Sequence, residues 1–259
     1  MRRRGFGALV ALGMAGLVGC AGKPIDRFTL EVDLPAQFRF IAGANYSPAA
    51  GETCTLPQRR GRRPERRILI TQYKPEAERV SFDLPLSQII EGCPTVLRSV
   101  DFDVRAKWGV RDSDVGGDRA VIGIRDRWDY GTGMPESGVQ TVVGRCHWLF
   151  RTVGPLHAIV KILQCRSLDA TGQLRLAGGV AQRDPLAGKK LRMVLALTDE
   201  ERPYFDDNWV AVPGGWKRCK GKNFEDRFAY CGGNTTDFKP VKMPDGRVCD
   251  VYPTCINKE

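Results

Sequence analysis

Cys146-His-Trp-Leu-Phe-Arg-Thr-Val-Gly-Pro-Leu-His-Ala-Ile-Val-Lys-Ile-Leu-Gln-Cys165 reads as two strands folded back on each other. Cys146, Trp148, Phe150 and Thr152 share one face of the first strand, because side chains alternate with a period of two. With Gly154-Pro155-Leu156-His157 as the turn, Cys165 falls opposite Cys146, Leu163 opposite Trp148 and Ile162 opposite Leu149. Directly opposed residues of an antiparallel pair lie about 4.5–5.5 Å apart, a separation that a disulfide tolerates. Both faces of this hairpin are largely apolar, which predicts a central position in a sheet. Pro155 suits ordinary turns better than the primed turns of tight hairpins, so a shifted register stays open.

Similar short segments extend outward on both sides. Phe28-Thr-Leu-Glu-Val-Asp-Leu34 alternates apolar and polar and stops at Pro35. Further strands are expected at 67–73, 79–84, 97–108, 119–125, 139–152, 157–166, 173–176 and 191–197, separated by turn residues. The one helical hint before residue 198 is Ser87 to Glu91, followed by Gly92. Glu31-Val-Asp-Leu-Pro35 and Ser81-Phe-Asp-Leu-Pro85 echo each other, which is too little to establish a repeat. The expected fold class is mainly β: a β-sandwich-like antiparallel body over residues 28–198, with a small disulfide-rich C-terminal region packed on it. That region, 199–259, is poor in Leu and Ile and rich in aromatics, Gly and Cys. A hairpin is expected from Cys219 to Cys231 about 224–226, and a turn at Met243-Pro-Asp-Gly-Arg247 between two short strands.

The N-terminus bears on compartment. Met1-Arg-Arg-Arg4 precedes an apolar run from Phe6 to Val18 and then Leu17-Val-Gly-Cys20. A basic start, a short apolar stretch and small residues at a cleavage point make a secretory signal. Leu-Val-Gly-Cys resembles the lipobox of bacterial lipoproteins. That resemblance implies a signal peptide at 1–19, lipidation of Cys20, and a lipidated tether at 20–27. Several acyl chains at about 0.8 kcal/mol per buried CH₂ hold such a protein stably on a membrane. Ala21 takes the place of the aspartate that in this family favours the inner membrane, which implies the periplasmic face of the outer membrane. Losing nineteen of 259 residues leaves 240, and losing Arg2, Arg3 and Arg4 takes the formal charge from +10 to +7.

One of nine cysteines then goes to lipid, and eight remain: Cys54, Cys93, Cys146, Cys165, Cys219, Cys231, Cys249 and Cys255. An even number in an oxidising compartment reads as disulfides. Eight cysteines allow 105 pairings in principle. Local patterns favour the sequential set, 146 with 165, 219 with 231 and 249 with 255, leaving 54 with 93.

Chemistry-bearing groups are sparse. With two histidines, His147 and His157, and no GxSxG elbow, a nucleophilic triad has little to draw on. The reading is a protein that binds and does not catalyse, with no cofactor, although a hydrolase built on paired carboxylates needs no histidine. Asp112-Ser-Asp-Val-Gly-Gly-Asp118 partly follows a calcium loop, but the bidentate acid is missing at the twelfth position, where Gly123 stands. A hairpin turn is the preferred reading there, and a looser calcium site the alternative. Arg59-Arg60-Gly-Arg62-Arg63-Pro-Glu-Arg66-Arg67 holds six arginines in nine residues. Nucleic acid is the reflex partner for such a run, but the periplasm offers little of it, so an acidic protein surface or envelope phosphates fit better. Arg59, Arg60, Arg62 and Arg63 are therefore partner-binding candidates, a solvated loop being the plainer reading. Tyr204-Phe205-Asp206-Asp207-Asn-Trp209 is the second candidate surface, since Tyr and Trp are enriched at interface hot spots; Trp216 reads as core.

Phe82-Asp-Leu-Pro-Leu-Ser with Glu91-Gly-Cys-Pro94, Cys146-His-Trp-Leu-Phe-Arg-Thr-Val-Gly154, and Glu201-Arg-Pro-Tyr204 with Gly215-Trp-Lys-Arg-Cys219 resemble lipoproteins known as type VI secretion immunity proteins. The resemblance spans most of the mature chain. It implies a stoichiometric inhibitor of a phospholipase-type toxin, held at the membrane where a lipase acts. The alternative is a structural or assembly lipoprotein tethering an envelope complex.

Overall fold

The computed structural model describes residues 26–56, 66–129, 133–221, 226 and 229–256. Cys20 and the run Arg59, Arg60, Arg62 and Arg63 lie outside the described residues. The chain runs β1 (Arg27–Leu34), β2 (Phe38–Pro48), β3 (Arg66–Ile70), β4 (Glu78–Pro85), β5 (Ser87–Ile90), β6 (Cys93–Lys107), β7 (Val115–Arg125), β8 (Val139–Val153) and β9 (Ala158–Leu168). There follow β10 (Leu174–Arg175), β11 (Gly178–Gln182), one helical turn α1 (Arg183–Leu186), β12 (Lys190–Pro203), β13 (Trp209–Val212) and β14 (Gly215–Cys219). The chain ends with β15 (Phe238–Lys239), β16 (Val241–Lys242), β17 (Val248–Cys249) and β18 (Tyr252–Pro253).

Two sheets face each other. One has the order β17-β16-β9-β8-β12-β1-β4, and the other β11-β7-β6-β2-β3 with β5 against β6. Most neighbours run antiparallel, whereas β1–β12, β12–β8, β7–β11 and β9–β16 run parallel. Hydrophobic alternation reveals which face a strand buries, and it is silent on the direction of its neighbour. Between the sheets lies a core in which Phe28, Phe40, Phe102, Leu84, Ile122 and Leu191 are fully buried or nearly so. Phe40 contacts Phe102 with ring centroids 5.3 Å apart and Phe82 across the sandwich at 6.2 Å.

β1 shows why the pattern works. Phe28, Leu30, Val32 and Leu34 enter the core, and its outward carboxylates meet cations. Glu31 pairs with Lys190, and Asp33 with Arg79 and Arg192. The β8–β9 hairpin has the expected register, with Cys146 opposite Cys165, Trp148 opposite Leu163 and Leu149 opposite Ile162. Its four-residue turn closes through the His157 N–H donating to the Gly154 carbonyl at 3.1 Å, with Gly154 and His157 both at positive φ. β8 is interior to its sheet, as its two apolar faces require. The four disulfides are the sequential ones, with Cα separations of 5.8 Å for Cys54–Cys93, 4.0 Å for Cys146–Cys165, 5.1 Å for Cys219–Cys231 and 4.8 Å for Cys249–Cys255.

The local expectations fare differently. Where a helical turn was expected from Ser87 to Glu91, Ser87–Ile90 is strand β5: Ile90 pairs with Cys93 across Glu91-Gly92, whose φ values of 49° and 80° make a tight hairpin turn. Gly92 was the right punctuation for the wrong element. The hairpin expected from Cys219 to Cys231 has its turn, about 224–226, almost wholly outside the described residues, which omit 222–225 and 227–228; among the described residues β14 pairs with β13, β15 and β18. β2 also emerges as a major strand that Ala42, Gly43 and Ala44 had masked, since small residues weaken the apolar alternation. The Met243–Arg247 turn stands as expected, between β16 and β17.

The change of composition at 198–199 falls inside β12. That strand pairs with β8 from Lys190 to Leu197, shifts register, and pairs again from Glu201 to Pro203. The C-terminal strands build on the same wall, because the Lys242 N–H donates to the His157 carbonyl at 3.1 Å.

Candidate functional site

β8, β9 and β12 extend past the sandwich at the ends of β8 and β12 and the start of β9, and that extension organises the C-terminal region. Phe150 and Ile159 turn away from the main core into a second one with Trp209, Val241, Met243, Cys249 and Tyr252. Phe150 lies 4.9 Å from Trp209, edge to face, and 4.5 Å from Tyr252. Trp216 packs against this cluster, as a core reading of that residue required.

Polar groups lock the same junction. Lys161 on β9 pairs with Glu201 on β12, and the Tyr252 hydroxyl donates to the other Glu201 oxygen at 2.5 Å. Burial, reinforced by the Glu201 carboxylate, pushes the Tyr252 phenol far above the usual tyrosine range. Arg218 is buried as well; its Nε donates to Thr152 Oγ1 at 2.8 Å and its Nη1 to the Cys219 carbonyl at 3.1 Å. Burial lowers its pKa, against the pull of the Asp226 carboxylate. The sequence held no signal for this set. Lys161 is a lone charge among the apolar residues of β9 and Glu201 stands in an acidic run, so neither points to the other.

The aromatic–acidic stretch divides at this point. Tyr204 and Phe205 are 44% and 36% exposed and pack edge to face at 4.6 Å. Asp206 and Asp207 follow in an exposed single turn. Trp209, at 6% exposure, belongs to the second core, which corrects its reading as a surface anchor. One side of it still lines an open cleft of about 600 Å³ with Asp206, Asp207, Val210, Tyr230 and Thr235. A second cleft of about 610 Å³ opens between the β6–β7 loop and the extension, lined by Gln37, Lys107, Trp108, Val110, Trp148 and Glu201. Alternation placed Trp148 on a buried face, and nothing in the sequence set it beside Trp108.

Both histidines are half-buried. Burial first, and then the Arg202 guanidinium, hold His147 below the ordinary histidine range. Burial and Arg218 do the same for His157, while the Pro240 carbonyl opposes them. At the 112–118 turn, the buried Asp114 carboxylate is taken by the Arg111 guanidinium and backbone N–H, the geometry of a hairpin turn. Asp118 crosses between the sheets to accept the Cys165 N–H at 2.7 Å. Among the described residues no cluster of three or more His, Cys, Asp or Glu side chains could hold a metal, and no helix is long and apolar enough to cross a membrane.

No family model matches this chain, no curated protein matches it, and no solved structure matches it.

Proposed function

We propose that the protein is a lipoprotein anchored through Cys20 to the periplasmic face of the outer membrane, and that it neutralises a type VI secretion lipase toxin by direct binding. The observation that carries this reading is a polarity of the fold. β1 begins at Arg27, seven residues after Cys20, and the start of β12 lies beside it, with Thr29 opposite Lys190. β12 then runs parallel to β1 and on through Pro203 to Tyr204 and Phe205. Fourteen strand residues at roughly 3.3 Å each set the exposed aromatic pair about 45 Å from the end of the sheet where β1 begins.

Preorganisation supports tight binding. Lys161, Glu201 and Tyr252 brace the surface from behind, and a surface that does not reorder on association loses less entropy. A mature charge of +7 would also speed encounter with an acidic toxin. The test is capture of a type VI phospholipase effector by the unlipidated Cys20→Ser chain, with survival of cells that express that lipase in the periplasm together with the lipidated protein. Truncating both Tyr204 and Phe205 to Ala is expected to weaken capture by more than tenfold, the effect of a hot-spot residue worth about 2 kcal/mol. Because both side chains are exposed, the melting temperature should hold. Failure of the unmodified chain either to capture the lipase or to protect cells sinks this reading.

A further inference from the structure

We propose that the cleft between the β6–β7 loop and the strand extension binds a neutral saccharide through two neighbouring hydroxyl groups. This goes beyond toxin binding and does not rest on it. The cleft has a definite origin in the fold. On the inner face of β8, Trp148 belongs to the main core and Phe150 to the second one. A Cβ on Gly116 of β7 would lie 2.6 Å from Trp148 Cζ3, so it is a glycine that admits the indole against the facing sheet. Glu201 pairs in register with Trp148, and Lys161 with Phe150. The ion pair between them therefore falls where one core ends and the other begins, and it forms the floor of the cleft.

Wall and floor offer different chemistry. Trp108 is the wall, held by its backbone N–H donating to the Asp114 carbonyl at 3.0 Å. The residue is half-buried while its Nε1 is fully buried, so what the ring shows the cleft is carbon. The negative face of an aromatic ring attracts polarised C–H groups, and a pyranose presents such groups in rows. On the floor, the Lys161 and Glu201 side chains are 16% and 21% exposed, reachable yet largely shielded from water. Lys161 gives one ammonium donor to Glu201, and Tyr252 gives its hydroxyl to the other carboxylate oxygen. Among the described residues, the remaining ammonium donors and carboxylate lone pairs are unused, and they lie side by side.

That juxtaposition selects the ligand. A hydroxyl both donates and accepts, so of two adjacent sugar hydroxyls one can accept from Lys161 while the other donates to Glu201. A trans peptide group turns its N–H and C=O in opposite directions and cannot engage both members from one side. An anion would meet Glu201 and a cation would meet Lys161, so net charge brings no advantage. Lys107, at the rim, is occupied elsewhere, 3.8 Å from the Asp112 carboxylate and 5.3 Å from the Tyr73 ring centroid. A volume of about 610 Å³ lies in the range of small-molecule sites.

The probes are cellobiose and maltose, titrated by calorimetry into the disulfide-intact Cys20→Ser chain, with their fully O-methylated forms and N-acetyl-trialanine amide as controls. Saturable binding of at least one free disaccharide is expected, and at least tenfold weaker binding of its methylated form and of the peptide. Lys161→Met keeps the stem and removes the donors, so it should weaken binding about tenfold, as loss of a hydrogen bond to a charged group does. Trp108→Ala should weaken it as much, whereas Trp108→Phe, which keeps a ring face, should hold it within about threefold. The methylated controls need no variant, so the test stands even where a substitution unfolds the chain. No binding of either disaccharide at millimolar concentration, equal binding of a methylated or peptide control, or indifference to both Lys161→Met and Trp108→Ala would overturn the proposal. Toxin capture is read separately: its loss with saccharide binding intact sinks the proposed function alone, and the reverse result sinks the saccharide site alone.

Discussion

The sandwich and the C-terminal region solve the same problem with opposite means. β2 and β6 stay in register over most of their length and enclose phenylalanines that water does not reach. β15 to β18 are two residues long each, and of the seven residues in the second core two, Phe150 and Ile159, belong to the sandwich. Ladder length and burial hold the first part. The second borrows a wall, then adds two disulfides across twelve and six residues of sequence. Where a chain cannot accumulate its own core, cross-links and docking replace it.

The sharpest way to test that contrast is to empty the sandwich. Phe40→Ala removes a ring in contact with both sheets and should cost about 3–5 kcal/mol, read by urea denaturation. Because the C-terminal region leans on β8 and β9, both parts should unfold in one transition. Two separate transitions would show that the C-terminal region stands alone. Removing Cys219–Cys231 by a double Ser substitution comes next. A loop of this length is worth about 3 kcal/mol in the chain-entropy account. The loss should be local, with faster amide exchange over residues 215–219 and 238–242 and unchanged protection in β2 and β6. A uniform loss of protection would erase the distinction between the parts.

How far the sequence reached follows the same division. In the sandwich, the register of Cys146 against Cys165 and the inward set of β1 were legible, because period-two alternation is a direct imprint of one buried face. β2 was not, since Ala42 and Ala44 are buried yet barely register as apolar, and Ile89-Ile90 before Glu91-Gly92 looked helical only because a four-residue strand is too short to show a period. In the C-terminal region the pairing of cysteines was legible and the strands were not. β14 finds β13, β15 and β18 through tertiary placement, which two-residue segments cannot announce. For the candidate site, the exposed Tyr204 and Phe205 were legible as composition, whereas Trp209 was misplaced because aromatic residues serve cores and surfaces alike. The Lys161–Glu201–Tyr252 junction joins three residues distant in sequence, and no local pattern could have united them.

The smallest effect separates the two parts by pH. His157 sits where the sandwich hands over to the C-terminal strands: its carbonyl accepts the Lys242 N–H, and its ring faces the Pro240 carbonyl with Arg218 and Lys239 nearby. Burial, then Arg218, lowers its pKa, so the folded protein favours the neutral ring. A group shifted down in this way contributes stability that is complete above its unfolded value of about 6.5 and is lost as the pH falls through the folded one. Acidification below about pH 6 should therefore speed amide exchange at Lys242 before it does so in β2, where no histidine intervenes. His147 is lowered too, but it pairs with Gln164 inside the β8–β9 ladder, away from the Lys242 handover that His157 governs. His157→Asn keeps a residue that tolerates the positive φ of 47° and removes the titration, so the early acid response at Lys242 should flatten. If the response persists in that variant, the junction is loosened by some other group, and the C-terminal region is held less by His157 than by its two disulfides.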